Sequence, residues 1–150
     1  MTLKATNKEE VSDGIIISFH GKWLTTLGSG AVGCVFRKRG PQHMIPHWIY
    51  VYVGTPIKAI AGRLPVKKVE VVSVKECIRL ASEGAIGRDE LAKYANGYKE
   101  LFVFWVGNYQ LANHGVDFAY LNSRHGFTPP QSFLLLSEQG KRRLDELCGF

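Results

Sequence analysis

Residues 14–39 read GIIISFHGKWLTTLGSGAVGCVFRKR, and this stretch decides the fold. Residues 14–20 form a β-branched run that predicts a strand. Residues 22–27 predict a brief helix, which the glycines after it would end. Residues 32–39 predict a second strand. The stretch therefore predicts a strand, a short helix, a turn and another strand, in that order.

The pattern continues into a third and a fourth strand. Residues 47–53 (HWIYVYV) alternate strongly, which puts Trp48, Tyr50 and Tyr52 on one face of a strand and the aliphatic side chains on the other. Residues 57–74 predict a long strand. Pro65 predicts a bulge or an edge within it, because proline cannot donate a ladder hydrogen bond.

Helices are predicted mainly in the second half of the chain. Two short helices are expected around residues 75–83 and 88–95, followed by a fifth strand at residues 100–107 (ELFVFWVG). Residues 113–128 predict an irregular segment, and a last helix is expected within residues 137–147. Strands dominate the first half, and helices are inserted before the fifth strand. The chain is therefore predicted to be an α+β domain built on a small mixed β-barrel with flanking helices.

Length and composition fit one domain. With 150 residues, 45% of them hydrophobic, the chain can bury a core without help from a metal or a disulfide. Residues 1–13 are predicted to be a flexible leader and residues 14–150 a single domain.

The three scattered cysteines include no CxxC pair, which argues against a disulfide framework and a structural zinc site. The polar start and short apolar runs predict a soluble cytoplasmic protein without a membrane partner.

Positive charge is concentrated in one half of the chain. The formal net charge is +6, yet residues 14–69 contain no Asp or Glu and eight Lys or Arg. An acid-free basic segment suits a polyanionic partner, because each cation that neutralises a phosphate releases counterions. The alternative is that these cations only keep the surface soluble.

A glycine-rich motif at residues 28–35 (GSGAVGCV) matches the phosphate-binding loop of protein kinases and contains the dinucleotide fingerprint GxGxxG. Its context fits neither. The chain has no HRD or DFG tripeptide, the sequence after Gly33 predicts a strand rather than a helix, and the next acid is Glu70. The motif therefore predicts a turn, and no cofactor is expected.

His43 and His47 have a metal-friendly spacing, but Pro46 between them argues against the helix such a site needs, so no metal is expected.

Two clusters combine basic and aromatic residues. Residues 36–39 (FRKR) end the second strand, and Lys22 with Trp23 follows the first. Adjacent strand ends of a small barrel would bring them together into one basic groove. Lys22, Arg37, Lys38 and Arg39 would contact phosphate, and Trp23 would stack on an unpaired base. The alternatives are core packing for Trp23 and a solvated strand end for the three cations.

Three segments resemble the ASCH domains of the PUA-like superfamily. Residues 18–39 (SFHGKWLTTLGSGAVGCVFRKR) are similar to the family's opening, in which a strand, an amphipathic helix and a GxKT turn precede EFRKR. Residues 48–66 (WIYVYVGTPIKAIAGRLPV) resemble the family's segment VxIYxTxPxxxIxG. Residues 129–133 (PPQSF) are similar to an element near the C-terminus of one subgroup.

This resemblance implies a compact PUA-like β-barrel with flanking helices and a cleft beside the helix after the first strand. It also implies binding of RNA or a modified nucleotide, although a few relatives are small enzymes: an amidohydrolase of acetylated cytidine and a ribonuclease. The family's catalytic lysine falls on Val32, the threonine after it on Gly33 and a glutamate on Val35. Those replacements remove the charged pair that would activate a nucleophile, which weighs against an enzyme. Glu90 could match the family's helical catalytic glutamate, or be an ordinary surface residue.

The sequence thus favours a nucleic-acid-binding module for RNA, another single strand or a modified nucleotide. Its predicted binding residues are Lys22, Trp23, Arg37, Lys38, Arg39, Gln131 and Ser132. One alternative is a small nucleoside or RNA hydrolase that uses Glu90 with Lys22 or His20. Another is a DNA-binding regulator, which the basic residues 140–143 (GKRR) would support.

Overall fold

The computed structural model describes residues 2–150, which form seven strands and five α-helices. The strands are β1 (Val11–Phe19), β2 (Cys34–Arg37), β3 (Trp48–Val53), β4 (Ala59–Ser73), β5 (Glu100–Val106), β6 (Gln110–Asp117) and β7 (Leu134–Ser137). The helices are α1 (Trp23–Gly28), α2 (Val74–Arg79), α3 (Arg88–Tyr94), α4 (Phe118–His125) and α5 (Glu138–Cys148). Short 3-10 turns lie at Lys8–Glu10 and Ala81–Gly84.

The long strand β4 organises one mixed sheet. Its first part pairs antiparallel with β3 and β6, and its second part pairs antiparallel with β5. Strand β1 lies parallel to β3 and antiparallel to β7, while β2 pairs with β5. The strand order is therefore β2-β5-β4-β3-β1-β7, with β6 beside β4. The mixed α+β class predicted from the sequence is confirmed.

The predicted closure into a barrel is wrong, because β2 and β7, the two ends of the strand order, do not pair with each other among the described residues. The edge of β2 is instead covered by the 3-10 turn at Ala81–Gly84. The backbone N–H of Gly33 donates to the carbonyl of Glu83 at 2.7 Å, and a Cβ added at Gly84 would lie 3.0 Å from the carbonyl oxygen of Cys34. A covered edge resists pairing with another strand.

The alternation in β3 is confirmed by how its two faces pack. Ile49, Val51 and Val53 belong to one apolar cluster, whereas Tyr50 and Tyr52 belong to another on the opposite side of the sheet. Successive side chains of a strand point to opposite faces, so β3 contributes to both cores.

Strand β4 runs through Pro65, which pairs with Trp48 of β3. The irregularity predicted near this proline lies just beyond it, as a shift in register with β5 between Val66 and Lys68.

The prediction of an irregular segment at residues 113–128 is wrong, since β6 and α4 occupy most of it. The signals for α4 are readable in retrospect. The carboxylate of Asp117 accepts a hydrogen bond from the backbone of Tyr120 at 2.8 Å, and Gly126 ends the helix with a φ of 64°. An Asp N-cap and a left-handed glycine after the last turn are ordinary helix boundaries.

Residues 3–5, inside the predicted flexible leader, pack against the domain. The Leu3 side chain is 1% exposed. The backbone N–H of Ala5 donates to Leu135 at 2.9 Å, and that of Ser137 donates to Leu3 at 2.8 Å. Strand β1 then begins at Val11, three residues before the predicted domain boundary.

None of the helices in residues 2–150 is long and apolar enough to span a membrane.

Candidate functional site

A cleft of about 380 Å³ opens beside α1, between the end of β1, strand β2 and helix α3. Buried apolar side chains form much of its wall, among them Phe19, Val32, Val35, Phe36 and Leu91. Its polar lining consists of Ser18, His20, Lys22, Arg37, Glu90, Tyr94 and Gln131. An apolar cavity with a few convergent polar groups has the general form of a small-ligand site.

Arg37, the last residue of β2, is half-buried in this cleft. Its guanidinium donates to the carbonyl of Phe36 at 2.8 Å and to that of Ser18 at 3.3 Å. The guanidinium carbon lies 4.6 Å from the centroid of the Phe19 ring. Burial lowers the pKa of Arg37, and neighbouring Tyr94 opposes that shift. A guanidinium stays charged in proteins, so the cleft contains a partly desolvated cation.

No ion pair in residues 2–150 includes Arg37. A guanidinium has five N–H donors, and neutral carbonyls accept only two of those on Arg37. The cleft can therefore offer positive charge and hydrogen-bond donors to a ligand without first breaking a salt bridge.

An ion pair spans the cleft between α1 and α3. The Nζ of Lys22, at the start of α1, lies 2.7 Å from Oε2 of Glu90, in the first turn of α3. The Lys22 ammonium is also 5.9 Å from the centroid of the half-buried Trp23 ring. The structure thus brings Lys22, Trp23, Arg37 and Glu90 to one cleft, and Glu90 offsets part of its positive charge.

Lys38 and Arg39 do not line this cleft. The Nζ of Lys38 lies 4.7 Å from the ring centroid of Tyr94 and 5.2 Å from that of Tyr98, while Arg39 is exposed on a neighbouring groove. The single groove predicted around residues 36–39 is therefore divided. Neighbouring residues of an extended chain point in opposite directions, and β2 ends at Arg37, so the three cations do not share a face.

The loop at residues 129–133 reaches the cleft through Gln131. Ser18 in β1 fixes this loop by donating from its Oγ to the carbonyl of Pro130 at 2.9 Å. Gln131 lines the cleft with an exposed side chain, whereas Ser132 does not line it.

Sequence reasoning missed Tyr94 as a cleft residue. The signal was present in the segment RDELAKY, because Tyr94 follows Glu90 by four residues and side chains at that spacing share one helix face. The hydroxyl of Tyr94 accepts a hydrogen bond from the backbone of Lys38 at 3.1 Å, which joins α3 to the chain after β2.

Neither a family model nor a curated protein matches the chain at the level of sequence. Solved structures do match. The ASCH protein from Zymomonas mobilis superposes with a TM-score of 0.81 at 22% identity, covering 90% of this chain and 95% of that one. The chain has the ASCH fold. A mutant form of the Zymomonas mobilis protein gives a TM-score of 0.82 at 21% identity over 91% of this chain and 99% of that one.

A more distant similarity links this ASCH fold to the N-terminal domain of Staphylothermus marinus McrB. That structure gives a TM-score of 0.60 at 13% identity, covering 91% of this chain and 94% of the other.

Within this ASCH fold, residues 28–35 form the turn expected from the sequence. Helix α1 ends at Gly28, Gly30 adopts a φ of 78°, and β2 begins at Cys34. Val32 and Val35, which stand where the resemblance places a lysine and a glutamate, are 7% and 4% exposed and line the cleft. The cleft wall is therefore apolar at both positions.

Cys34 also lines the cleft. Burial, with a smaller effect from Glu83, raises the pKa of the Cys34 thiol to about 12. A thiol with that pKa is protonated at neutral pH and is a poor nucleophile.

The basic segment at residues 140–143 lies in α5, and two of its three cations are paired. Lys141 lies 3.5 Å from Asp13 and 3.7 Å from Asp145, and Arg143 lies 3.3 Å from Glu146. Arg142 remains as the exposed cation of the three.

Proposed function

We propose that this ASCH-fold protein binds single-stranded nucleic acid, RNA in particular, and that the cleft holds one nucleobase or modified nucleotide. The observation that carries the proposal is Arg37, a half-buried cation whose hydrogen-bond acceptors are two neutral carbonyls. A cleft volume of about 380 Å³ lies in the range of small-ligand sites, roughly 300–1,000 Å³.

Each polar or aromatic side chain of the cleft would contact a different part of the ligand. Arg37 presents a planar fork of donors to a phosphate or to the acceptor edge of a base. Trp23 offers a face on which an unpaired base stacks. Gln131 has both a donor and an acceptor in its amide, so it reads polar groups on the base.

We propose that cations outside the cleft contact the rest of the bound nucleic-acid strand. Lys38 and Arg39 would contact phosphates, and Lys22 would do so at the cleft. Ser132 adjoins Gln131 on the same loop and completes the set of proposed contacts. The acid-free composition of residues 14–69 supports a polyanionic ligand, because Arg37, Lys38 and Arg39 face no acid nearby in the chain.

Substitution of Arg37 tests the proposal. Arg37→Met retains much of the apolar stem and removes the charge, whereas Arg37→Lys retains the charge and loses the planar fork. Hydrogen bonds to charged groups contribute about 1.5–3 kcal/mol, so we expect Arg37→Met to weaken RNA binding by about tenfold or more. Fluorescence anisotropy across a salt titration, with RNA and single-stranded DNA of one sequence, measures the effect.

The matched control is the double variant Lys75→Ala, Arg142→Ala. Both side chains are exposed and neither lines the cleft. Equal RNA affinity for wild type and Arg37→Met at every salt concentration would show that the cleft is not the binding site.

A second candidate function is hydrolysis, and the ion pair between Lys22 and Glu90 favours it. The two side chains lie 2.7 Å apart, and His20 lines the same cleft. In acetylated cytidine, water would attack the acetyl carbonyl while Glu90 takes a proton from that water. Glu90 would then give the proton to the exocyclic nitrogen, so that the amide C–N bond breaks and cytidine leaves with acetate as the other product. Lys22 would stabilise the charge that develops on the carbonyl oxygen.

Incubation with acetylated cytidine and with RNA separates the two functions. A hydrolase releases cytidine or shorter RNA fragments, and Glu90→Gln abolishes that release. A binding protein releases neither product while still retaining RNA.

A further inference from the structure

A second concave surface lies next to the cleft and encloses about 740 Å³; we call it the side groove. Its charged lining residues are Lys8, Lys38 and Arg39, and no Asp or Glu lines it among residues 2–150. Its other lining residues include the polar Ser12, Gln42 and His43 and several apolar side chains, of which those of Met44, Phe102, Phe133 and Leu135 are each partly exposed.

Two chain segments connect the cleft to the side groove. Arg37 lines the cleft, while Lys38 and Arg39 line the side groove. On the other segment, Gln131 lines the cleft and Phe133 lines the side groove. Two residues of extended chain span at most about 7 Å, so each segment carries the protein surface from one concavity directly to the next.

Lys38 stands at the boundary between the two concavities. Its backbone N–H donates to the hydroxyl of Tyr94, which lines the cleft, and its ammonium lies 4.7 Å from the Tyr94 ring. A polymer that leaves the cleft towards the side groove would therefore pass a fixed cation.

The two acids that follow Lys8 in the chain, Glu9 and Glu10, do not neutralise the cations of the side groove. Glu9 and Glu10 do not line it, and the Glu10 carboxylate accepts hydrogen bonds from Thr6 at 2.7 and 3.1 Å. Neither Glu9 nor Glu10 forms an ion pair within residues 2–150, so neither pairs with a cation of the side groove.

We propose that the side groove is a second subsite, which binds the nucleotide adjacent to the one in the cleft. Lys8 and Arg39 contact its phosphate, and its base stacks on the exposed face of Phe133. A basic channel combined with aromatic faces is how proteins bind single strands with little sequence preference. This inference rests on the proposed function, because it assumes that the cleft holds one nucleotide of the same strand.

The length of the ligand provides the test. Binding to a mononucleotide, a dinucleotide and a longer single-stranded RNA is measured for wild type and for the double variant Lys8→Ala, Arg39→Ala. We expect the wild-type affinity to rise with length and the double variant to lose most of that rise. Affinity for the mononucleotide should fall much less than affinity for the longer RNA, because neither substituted side chain lines the cleft. The slope of log affinity against log salt falls by about 0.7 for each lost phosphate contact.

Two further variants complete the experiment. Lys75→Ala, Arg142→Ala removes the same charge from surfaces outside the cleft and the side groove, and should retain the full gain with length. Phe133→Leu keeps an apolar side chain but removes the ring, and we expect it to weaken the dinucleotide without altering the mononucleotide. Unchanged melting temperatures show that each variant is folded.

Each result either supports the side groove as a subsite or rules it out. If the double variant gains affinity with length as wild type does, or if wild type itself binds a long strand no better than a mononucleotide, the side groove is not a subsite. The proposed function survives both results. If wild type binds neither mononucleotide nor RNA, the proposed function fails and the side groove proposal fails with it. The same series in single-stranded DNA shows whether the subsite requires the ribose hydroxyl.

Discussion

The ammonium of Lys22 lies 2.7 Å from the carboxylate of Glu90 and joins α1 to α3 across the cleft. Both side chains are about half exposed, at 55% and 49%. An exposed pair of this kind contributes about 0–1 kcal/mol to stability. Its main effect is therefore electrostatic, because Glu90 places a negative charge where a phosphate would approach Lys22 and Arg37.

Glu90→Gln should strengthen RNA binding. The substitution frees Lys22 and removes a repulsion of about 1 kcal/mol between like charges near 4 Å in water, which corresponds to roughly fivefold in affinity. The gain should shrink as salt screens exposed charges. Anisotropy at low and high salt measures it, with Asp89→Asn as a control that removes an exposed acid outside the cleft. Weaker binding by Glu90→Gln would instead show that the carboxylate contacts the ligand.

The cysteines should resist alkylation in the folded protein. All three are buried, and burial raises the pKa of Cys34 and Cys148 to about 12. These thiols are therefore protonated and inaccessible at neutral pH, and an alkylating agent reacts slowly until the protein unfolds. Mass spectrometry with and without urea measures the difference. Ready labelling of Cys34 without urea would show that the cleft wall opens.

The raised pKa of the Cys34 thiol also predicts that the folded protein loses stability as the pH rises. The folded state holds the Cys34 proton more tightly than the unfolded state does, so the stabilisation is complete below the unfolded pKa. It is lost as the pH rises from about 9 towards 12. Replacing Cys34 with alanine should therefore reduce the loss of unfolding free energy over that range. An identical alkaline loss in both proteins would contradict the raised pKa.

Local sequence patterns were enough to predict β3, α1 and the turn at residues 28–33. Each depends on neighbours in the chain: the alternation in HWIYVYV, or the glycines after Leu27. Sheet closure depends on a distant contact instead. The second edge of β2, which does not face β5, is covered by the turn at Ala81–Gly84, and no local pattern reveals that packing.

The candidate site shows the same division. Arg37 was predictable because it ends a strand in an acid-free basic segment. The divergence of Lys38 and Arg39 was not, because it depends on where β2 stops. At Gly40 the chain packs directly on Phe102 of β5, so closely that an added Cβ would overlap the ring. Both residues of that long-range contact line the side groove, and neither lines the cleft.

Tyr50 and Arg63 form a network on the other side of the sheet that should dominate stability there. The Tyr50 hydroxyl donates to Asp145 at 2.5 Å, and Arg63 lies 3.3 Å from the same carboxylate. The Arg63 guanidinium also lies 3.8 Å from the Trp48 ring centroid and 4.3 Å from that of Phe150. Tyr50→Phe should cost about 1.5–3 kcal/mol of unfolding free energy, since it removes a hydrogen bond to a charged group.

Urea denaturation of Tyr50→Phe measures that loss, with Tyr98→Phe as the matched control. Tyr98 is 41% exposed and its hydroxyl forms no hydrogen bond among the contacts of residues 2–150, so its substitution should change stability little. Equal stability of wild type and Tyr50→Phe would show that the hydroxyl contributes no net stabilisation. RNA binding should stay unchanged in Tyr50→Phe, because Tyr50 does not line the cleft.

Gly140→Ala and Gly28→Ala should change stability in opposite directions, although both place alanine in a helix. Alanine normally stabilises a helix by roughly 0.5–1 kcal/mol relative to glycine. At Gly28 an added Cβ meets nothing within 4 Å, so alanine should stabilise α1, by less than the interior value because Gly28 is its last residue. At Gly140 the Cβ would overlap the backbone of Leu3, and relieving such overpacking costs about 1–3 kcal/mol. Urea denaturation of the two variants measures the contrast, and stabilisation by Gly140→Ala would mean that residues 3–5 are not held against α5.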